Sequence, residues 1–215
     1  MTGRFGKEQD ESIELSETAL RLSAQAAYAE SIFQLSLNDV EASIGALEYD
    51  PGYAPAIFSM GSVEYQRDRE AYGKELFMSL VSLPDFAADG GEPDLAEIID
   101  KAGSFLIQIG RYDDGFKLYR AALARFPQVA VLQQGLGCCA GHEGRHEEAI
   151  AASKAALSLE PENQEFVNDL GWCLLEAGQL EEARQFLSQA VSMDPTDDLA
   201  RENLRRCNKA ISDGR

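Results

Sequence analysis

The chain has 215 residues, of which 37 are acidic and 19 are basic, so its formal net charge is −18 at neutral pH. This charge disfavours nucleic acids and anionic membrane surfaces as partners, since binding to either relies on Lys and Arg. No apolar run approaches the roughly 20 residues that span a bilayer, and the polar N-terminus does not resemble a signal peptide. We therefore expect a cytoplasmic protein with no nucleic-acid or membrane partner.

The N-terminal residues, 1–11, are polar and charged, which predicts disorder. Residues 12–215 then show apolar residues at helical spacing, separated by turns. They are predicted to form a single array of two-helix units, the first of them degenerate: residues 20–53, 54–87, 96–129, 130–163 and 164–197. An insertion rich in Gly, Asp and Pro, residues 86–95, follows the second unit and is predicted to be a loop.

The last two units repeat each other with a period of 34 residues, so that Leu136-Gly137 recurs as Leu170-Gly171. A fixed period of this length is typical of stacked two-helix repeats. The glycine after each leucine predicts close approach of the paired helices. A second set of glycines, where the first helices should end, predicts left-handed turns: Gly110, Gly144 and Gly178.

This pattern resembles the tetratricopeptide repeat family, whose 34-residue motif is Trp-x2-Leu-Gly-x2-Tyr, then Ala-x3-Phe, then Pro. The chain departs from the motif at its aromatic positions, which hold Gln133, Val167, Ala140 and Leu174. The resemblance implies an all-α, right-handed superhelical solenoid of antiparallel helix pairs. Residues 197–211 combine a narrow apolar stripe with a charged back, which predicts a C-terminal capping helix.

The residues that could carry chemistry are few. Three cysteines recur at the repeat period and are predicted to be core residues rather than a disulfide: Cys139, Cys173 and Cys207. Cys138, His142 and His146 are spaced by four residues, so a metal site is one interpretation and surface histidines are the simpler one. No catalytic motif is present, and we expect no enzyme activity and no cofactor.

In this family the first helices line a concave groove that binds extended peptides or helices, so the resemblance implies a protein-interaction module, an adaptor or scaffold. Carried onto this sequence, the groove-facing candidates are Tyr28, Phe58, Ser62, Tyr65, Asp100, Ser104, Gln134, Asn168 and Trp172. The alternative for each aromatic candidate is that it fills a gap between neighbouring repeats.

The groove candidates also bear on the partner. Co-chaperone members use a Lys–Asn pair to bind a C-terminal carboxylate, whereas the positions here hold Gln134, Cys138, Asn168 and Trp172. An acidic protein with aromatic residues in its groove should favour a basic or apolar segment of a partner protein.

Two other functions remain open. Small acidic secretion chaperones built from these repeats look similar, so the protein could hold an effector or translocator protein. The metal site at Cys138, His142 and His146 is the minor alternative. The degenerate first unit leaves an end that could pair with a second copy, so a homo-oligomer is a further hypothesis.

Overall fold

The computed structural model describes Leu20 and residues 22–25, 40–84 and 94–214. Leu20 and residues 22–25 are helical, and no strand is present within the described ranges. The remaining helices are α1 (Val40–Tyr49), α2 (Ala54–Gln66), α3 (Glu70–Leu80), α4 (Leu95–Gln108), α5 (Tyr112–Leu123), α6 (Ala130–His142), α7 (His146–Leu159), α8 (Gln164–Glu176), α9 (Leu180–Met193) and α10 (Asp198–Ser212). The all-α prediction is confirmed.

The chain forms two compact units, residues 1–98 and 99–215, and the boundary falls inside α4. In the first unit, α2 packs against both α1 and α3. In the second, each helix from α5 to α10 packs against the next one along the chain. Both units therefore consist of sequence-adjacent helices packed in pairs. That they continue as a single array stays a prediction.

The helix bounds can be set beside the predicted repeat units where the structure describes them. The pairs α6/α7 and α8/α9 fall within residues 130–163 and 164–197. The helix α4 begins at Leu95, which is the last residue of the predicted insertion. Asp94 Oδ1 accepts a hydrogen bond of 2.8 Å from Glu97 N in the first turn of this helix. Residues 85–93 lie outside the described residues, as do residues 1–11 and Tyr28.

The first helices end in a shared left-handed turn. As predicted, three of these turns are glycines with φ between 73° and 75°: Gly110, Gly144 and Gly178. In each case the next residue donates to a carbonyl five residues back, as Arg145 N does to Ala140 O at 2.8 Å. Asp68 takes the same place after α2 with φ 59°, and Arg69 N donates to Glu64 O at 2.9 Å. The sequence carried no glycine there to reveal this turn.

The period-34 residues are core residues. The three recurring cysteines are at most 1% exposed, which confirms their predicted position: Cys139, Cys173 and Cys207. All four cysteine thiols are free. A Cβ atom at Gly137 would lie 2.7 Å from Ser153 Oγ, and one at Gly171 would lie 2.7 Å from the Leu187 side chain. These two glycines thus allow the paired helices to approach closely.

The capping helix is α10, within one residue of the predicted bounds at each end. Asp197 is the N-cap of this helix, since its side chain accepts hydrogen bonds from Leu199 N at 2.8 Å and Ala200 N at 3.3 Å. Ala200 and Cys207 are fully buried. Among the helices that the structure describes, none is long and apolar enough to cross a membrane.

Candidate functional site

The first helices of the pairs lie side by side in the second unit, where α8 contacts α6 on one side and α10 on the other. Gln134 Nε2 on α6 donates to Asp169 Oδ2 on α8 at 2.7 Å. Asn203 Nδ2 on α10 donates to Asn168 Oδ1 on α8 at 3.2 Å. We call the surface beside these links the first-helix face and define it by Gln134, His142, Asp169, Trp172, Glu176 and Arg206.

Trp172 is half-buried at the centre of this face. Its ring lies on the backbone of α6, because a Cβ atom at Gly141 would be only 2.5 Å from Cζ3. The ring centroid is 5.0 Å from that of His142, which stacks on Tyr112 at 4.1 Å with an interplanar angle of 11°. Trp172 on α8 therefore packs against α6, and part of its surface remains accessible.

Asp169 is a half-buried carboxylate that sequence reasoning did not identify. Burial raises the pKa of this carboxyl, the hydrogen bond from Gln134 acts against that rise, and the charges of Glu165 and Asp197 add to it. The ion pairs of the described residues include none to Asp169. Hydrogen bonds from two amides, Gln134 and Asn168, therefore stabilise its negative charge, and within the described ranges no cation pairs with it.

Cys138 is half-buried on α6 near Asp169. Burial and the charge of Asp169 raise the pKa of its thiol to about 11, so it is protonated at neutral pH. His142 is engaged in the ring stack, and His146 begins the next helix. Within the described ranges, no group of three His, Cys, Asp or Glu residues is placed to hold a metal ion. The structure does not support the metal-site alternative.

The other predicted residues of the second unit serve different roles. The hydroxyl of Tyr119 donates to Asp100 Oδ1 at 3.1 Å, and burial followed by the Asp100 charge raises the pKa of Tyr119. Ser104 is exposed on α4. Asn168 is 3% exposed and bonds to Asn203, so it joins α8 to α10 instead of offering contact area. Of the predicted set, the first-helix face brings together Gln134 and Trp172.

The predicted residues of the first unit pack around one ring. The rings of Phe58 and Tyr65 stack on Phe77 with centroids 6.1 and 5.6 Å away, and Phe77 itself lies against Gly61. Tyr65 is only 6% exposed, so it is a packing residue and does not line an open surface. Phe58 is half-buried, and the half-buried Ser62 donates its hydroxyl to Phe58 O at 2.9 Å.

Glu64 is a buried charge that sequence reasoning also missed. It is 1% exposed, and its two carboxylate oxygens each lie 2.6 Å from the guanidinium of Arg69. The equivalent positions of later repeats hold the buried apolar residues Leu106 and Leu174. The Arg69 pair therefore neutralises a carboxylate at a position that is otherwise apolar.

The comparisons with known proteins agree with this geometry. Two family models, each described as a tetratricopeptide repeat, match residues 101–152 and 142–206. The protein belongs to the tetratricopeptide repeat family. This assignment accounts for the 34-residue period, the helix pairs and the glycine turns of the chain. No curated protein matches the sequence significantly.

Solved tetratricopeptide repeat structures have the same fold at low identity. YrrB, described as a TPR protein with an unusual peptide-binding site, is 18% identical with a TM-score of 0.60 over 94% of this chain and 98% of that chain. MamA from Desulfovibrio magneticus RS-1 is 15% identical with a TM-score of 0.57 over 85% and 97%. The first TPR of Spaghetti (RPAP3), bound to the HSP90 peptide SRMEEVD, is 19% identical with a TM-score of 0.50 over 54% and 93%.

Proposed function

We propose that the protein is a binding module rather than an enzyme, and that the first-helix face of the second unit receives a peptide or helix of a partner protein. The observation that carries this proposal is the environment of Trp172. It is the only tryptophan of the chain, its ring packs on Gly141, and the residue as a whole is only half-buried. An aromatic ring that is already immobile loses little entropy on binding, and such rings are frequent hot spots.

Peptide binding by proteins of the same fold supports this proposal. YrrB is described as having a peptide-binding site, and the first TPR of Spaghetti (RPAP3) is bound to an HSP90 peptide. The acidic end of that HSP90 peptide does not suit this chain. The first-helix face carries Asp169 and Glu176, and like charges across an interface disfavour binding. The secretion-chaperone alternative stays a prediction from the sequence.

Affinity capture from an extract of the source organism tests the proposal. We expect the wild-type chain to retain partners that Trp172→Ala loses, since that variant removes the central contact area of the face. Tyr72→Ala is the matched control, because Tyr72 is a half-exposed aromatic residue on α3, in the other unit. Both variants should keep the helical circular dichroism of the wild type. If Trp172→Ala captured every wild-type partner, the proposed binding face would be wrong.

A further inference from the structure

Four residues of α8 form a stripe along one side of the helix. Glu165, Asp169, Trp172 and Glu176 are spaced by 4, 3 and 4 residues, which places them on one helical face. Asp169 and Trp172 contact α6, through Gln134 and Gly141. Glu176 contacts α10. We call these four residues the α8 stripe, and it runs between the two neighbouring first helices.

The charge of the stripe is negative and only partly compensated. Glu176 Oε1 lies 2.8 Å from Arg206 Nη2, whereas no ion pair to Glu165 or Asp169 occurs among the described residues. Asp169 is half-buried and faces the like charges of Glu165 and Asp197, with Cys138 as the nearby thiol. A cation from outside the chain would relieve this repulsion and would replace the lost solvation of the carboxylate.

Trp172, a half-buried residue, lies in the stripe between the carboxylates of Asp169 and Glu176. A guanidinium or ammonium group binds favourably over an indole face, and the aliphatic stem of Lys or Arg packs on its edge. The Arg206–Glu176 pair shows that the end of the stripe already holds a guanidinium of this chain. Both kinds of group on the stripe, carboxylate and indole, thus suit basic side chains.

We propose that the α8 stripe binds a basic segment of the partner. Two Lys or Arg side chains of this segment pair with Glu165 and Asp169, and the aliphatic stem or the cation of a third packs on Trp172. This inference rests on the proposed function. The stripe is about 16 Å long, at 1.5 Å per helical residue, which matches about five residues of extended peptide. Alternate residues of an extended strand lie about 6.6 Å apart, close to the rise of about 6 Å between Glu165 and Asp169.

Calorimetric titration with two synthetic peptides tests this inference. The basic probe is Lys-Ser-Lys-Ser-Leu-Ser-Lys, and the neutral probe has Gln in place of each Lys. We expect the wild-type chain to bind the basic probe about tenfold more tightly than the neutral one at an ionic strength of about 0.15 M. Neither probe contains tryptophan, so the fluorescence of a mixture comes from Trp172 alone. Titration with the basic probe should change this fluorescence and give the same dissociation constant as calorimetry.

Two variants of equal charge separate the stripe from the net charge of the protein. The double variant Glu165→Gln/Asp169→Asn should bind the basic probe about tenfold more weakly than the wild type does. Its affinity for the neutral probe should be unchanged. The control is Glu147→Gln/Glu181→Gln, which removes two exposed carboxylates from α7 and α9. Its affinity for the basic probe should stay within about twofold of the wild-type affinity, as expected for distant surface charges.

Three results would overturn the inference. If both double variants bound the basic probe equally weakly, the net charge of the protein and not the α8 stripe would explain the binding. Equal affinity for both probes would mean that the face takes an apolar or neutral segment. No binding of the basic probe at about 1 mM would mean that the stripe does not recognise basic side chains. In each case the proposed function survives if Trp172→Ala still loses captured partners, and fails only if that capture is also unchanged.

Discussion

The ring of Trp172 packs on α6 at Gly141, where an added Cβ atom would lie 2.5 Å from Cζ3 and 2.7 Å from Cη2. We therefore expect Gly141→Ala to displace the ring and to lower the free energy of unfolding by about 1–3 kcal/mol. This loss should outweigh the better helix propensity of alanine. Urea denaturation measures the stability, and the emission maximum of the single tryptophan reports the displacement.

Gly45 is the matched control for this substitution, because it lies inside α1 and an added Cβ atom would meet nothing within 4 Å. Gly45→Ala should raise the free energy of unfolding by about 0.5–1 kcal/mol. If Gly141→Ala stabilised the protein in the same way and left the emission maximum unchanged, Trp172 would not lie on Gly141.

The left-handed turn at Asp68 predicts a stabilising substitution. Asp68 has φ 59°, whereas the equivalent turns of the second unit have glycine. Asp68→Gly should raise the free energy of unfolding by about 1 kcal/mol, because it removes the steric cost of a Cβ atom at positive φ. The reverse change, Gly144→Asp, should lower it by a similar amount. Loss of stability in Asp68→Gly, measured by thermal or urea denaturation, would contradict this account of the turn.

The buried pair of Glu64 and Arg69 predicts a non-additive pair of substitutions. Arg69→Ala should lower the free energy of unfolding by about 1–3 kcal/mol, because it leaves the Glu64 carboxylate buried without its partner. Adding Glu64→Leu should recover most of this loss, since leucine occupies the equivalent positions in two later repeats. Arg67→Ala, at an exposed neighbouring arginine, is the control and should change the stability by less than about 0.5 kcal/mol. Purely additive losses in the double variant would refute the pairing.

The raised pKa of Asp169 predicts a pH-dependent stability difference. Because the folded state raises the pKa of this carboxyl, the folded state binds its proton more tightly, and stability falls as the pH rises through the raised pKa. Asp169→Asn lacks this charge and its amide oxygen can still accept from Gln134. The variant should be more stable than the wild type at pH 7, and the difference should vanish below the ordinary aspartate pKa of 3.8.

Asp194→Asn gives the opposite sign and serves as the control. Hydrogen bonds from the hydroxyl and backbone of Thr196 lower the pKa of Asp194, so its carboxylate contributes stability at neutral pH that is lost in acid. Asp194→Asn should therefore be less stable than the wild type at pH 7. Equal pH dependence of the two variants in urea denaturation would contradict the role of burial at Asp169.

The fold could be predicted from the sequence because its packing constraints recur at a fixed spacing. Gly137 and Gly171 mark the same close helix contact, and Gly144 and Gly178 mark the same left-handed turn. Each constraint admits few residue types, so it stays visible in the sequence. The turn at Asp68 was missed because aspartate also tolerates that backbone conformation and carries no comparable signal.

The candidate site was only partly predictable, because exposure depends on the neighbouring repeat. Asn168 is at a predicted groove position, yet it is 3% exposed and bonds to Asn203 on α10. Asp169 was missed because the equivalent residue of the preceding unit is Gly135, so no period marks it. The spacing of Tyr65 leaves both a groove position and a packing position open, and Phe77 packs against its ring. Spacing along one helix could not reveal these contacts across helices.

Hydrogen–deuterium exchange of the chain with and without its captured partner tests most directly whether the first-helix face is the binding surface. We expect slower amide exchange in α6 and α8, residues 130–142 and 164–176, and unchanged exchange in α7 and α9. Protection confined to α7 and α9, with none in the first helices, would contradict the proposed binding face.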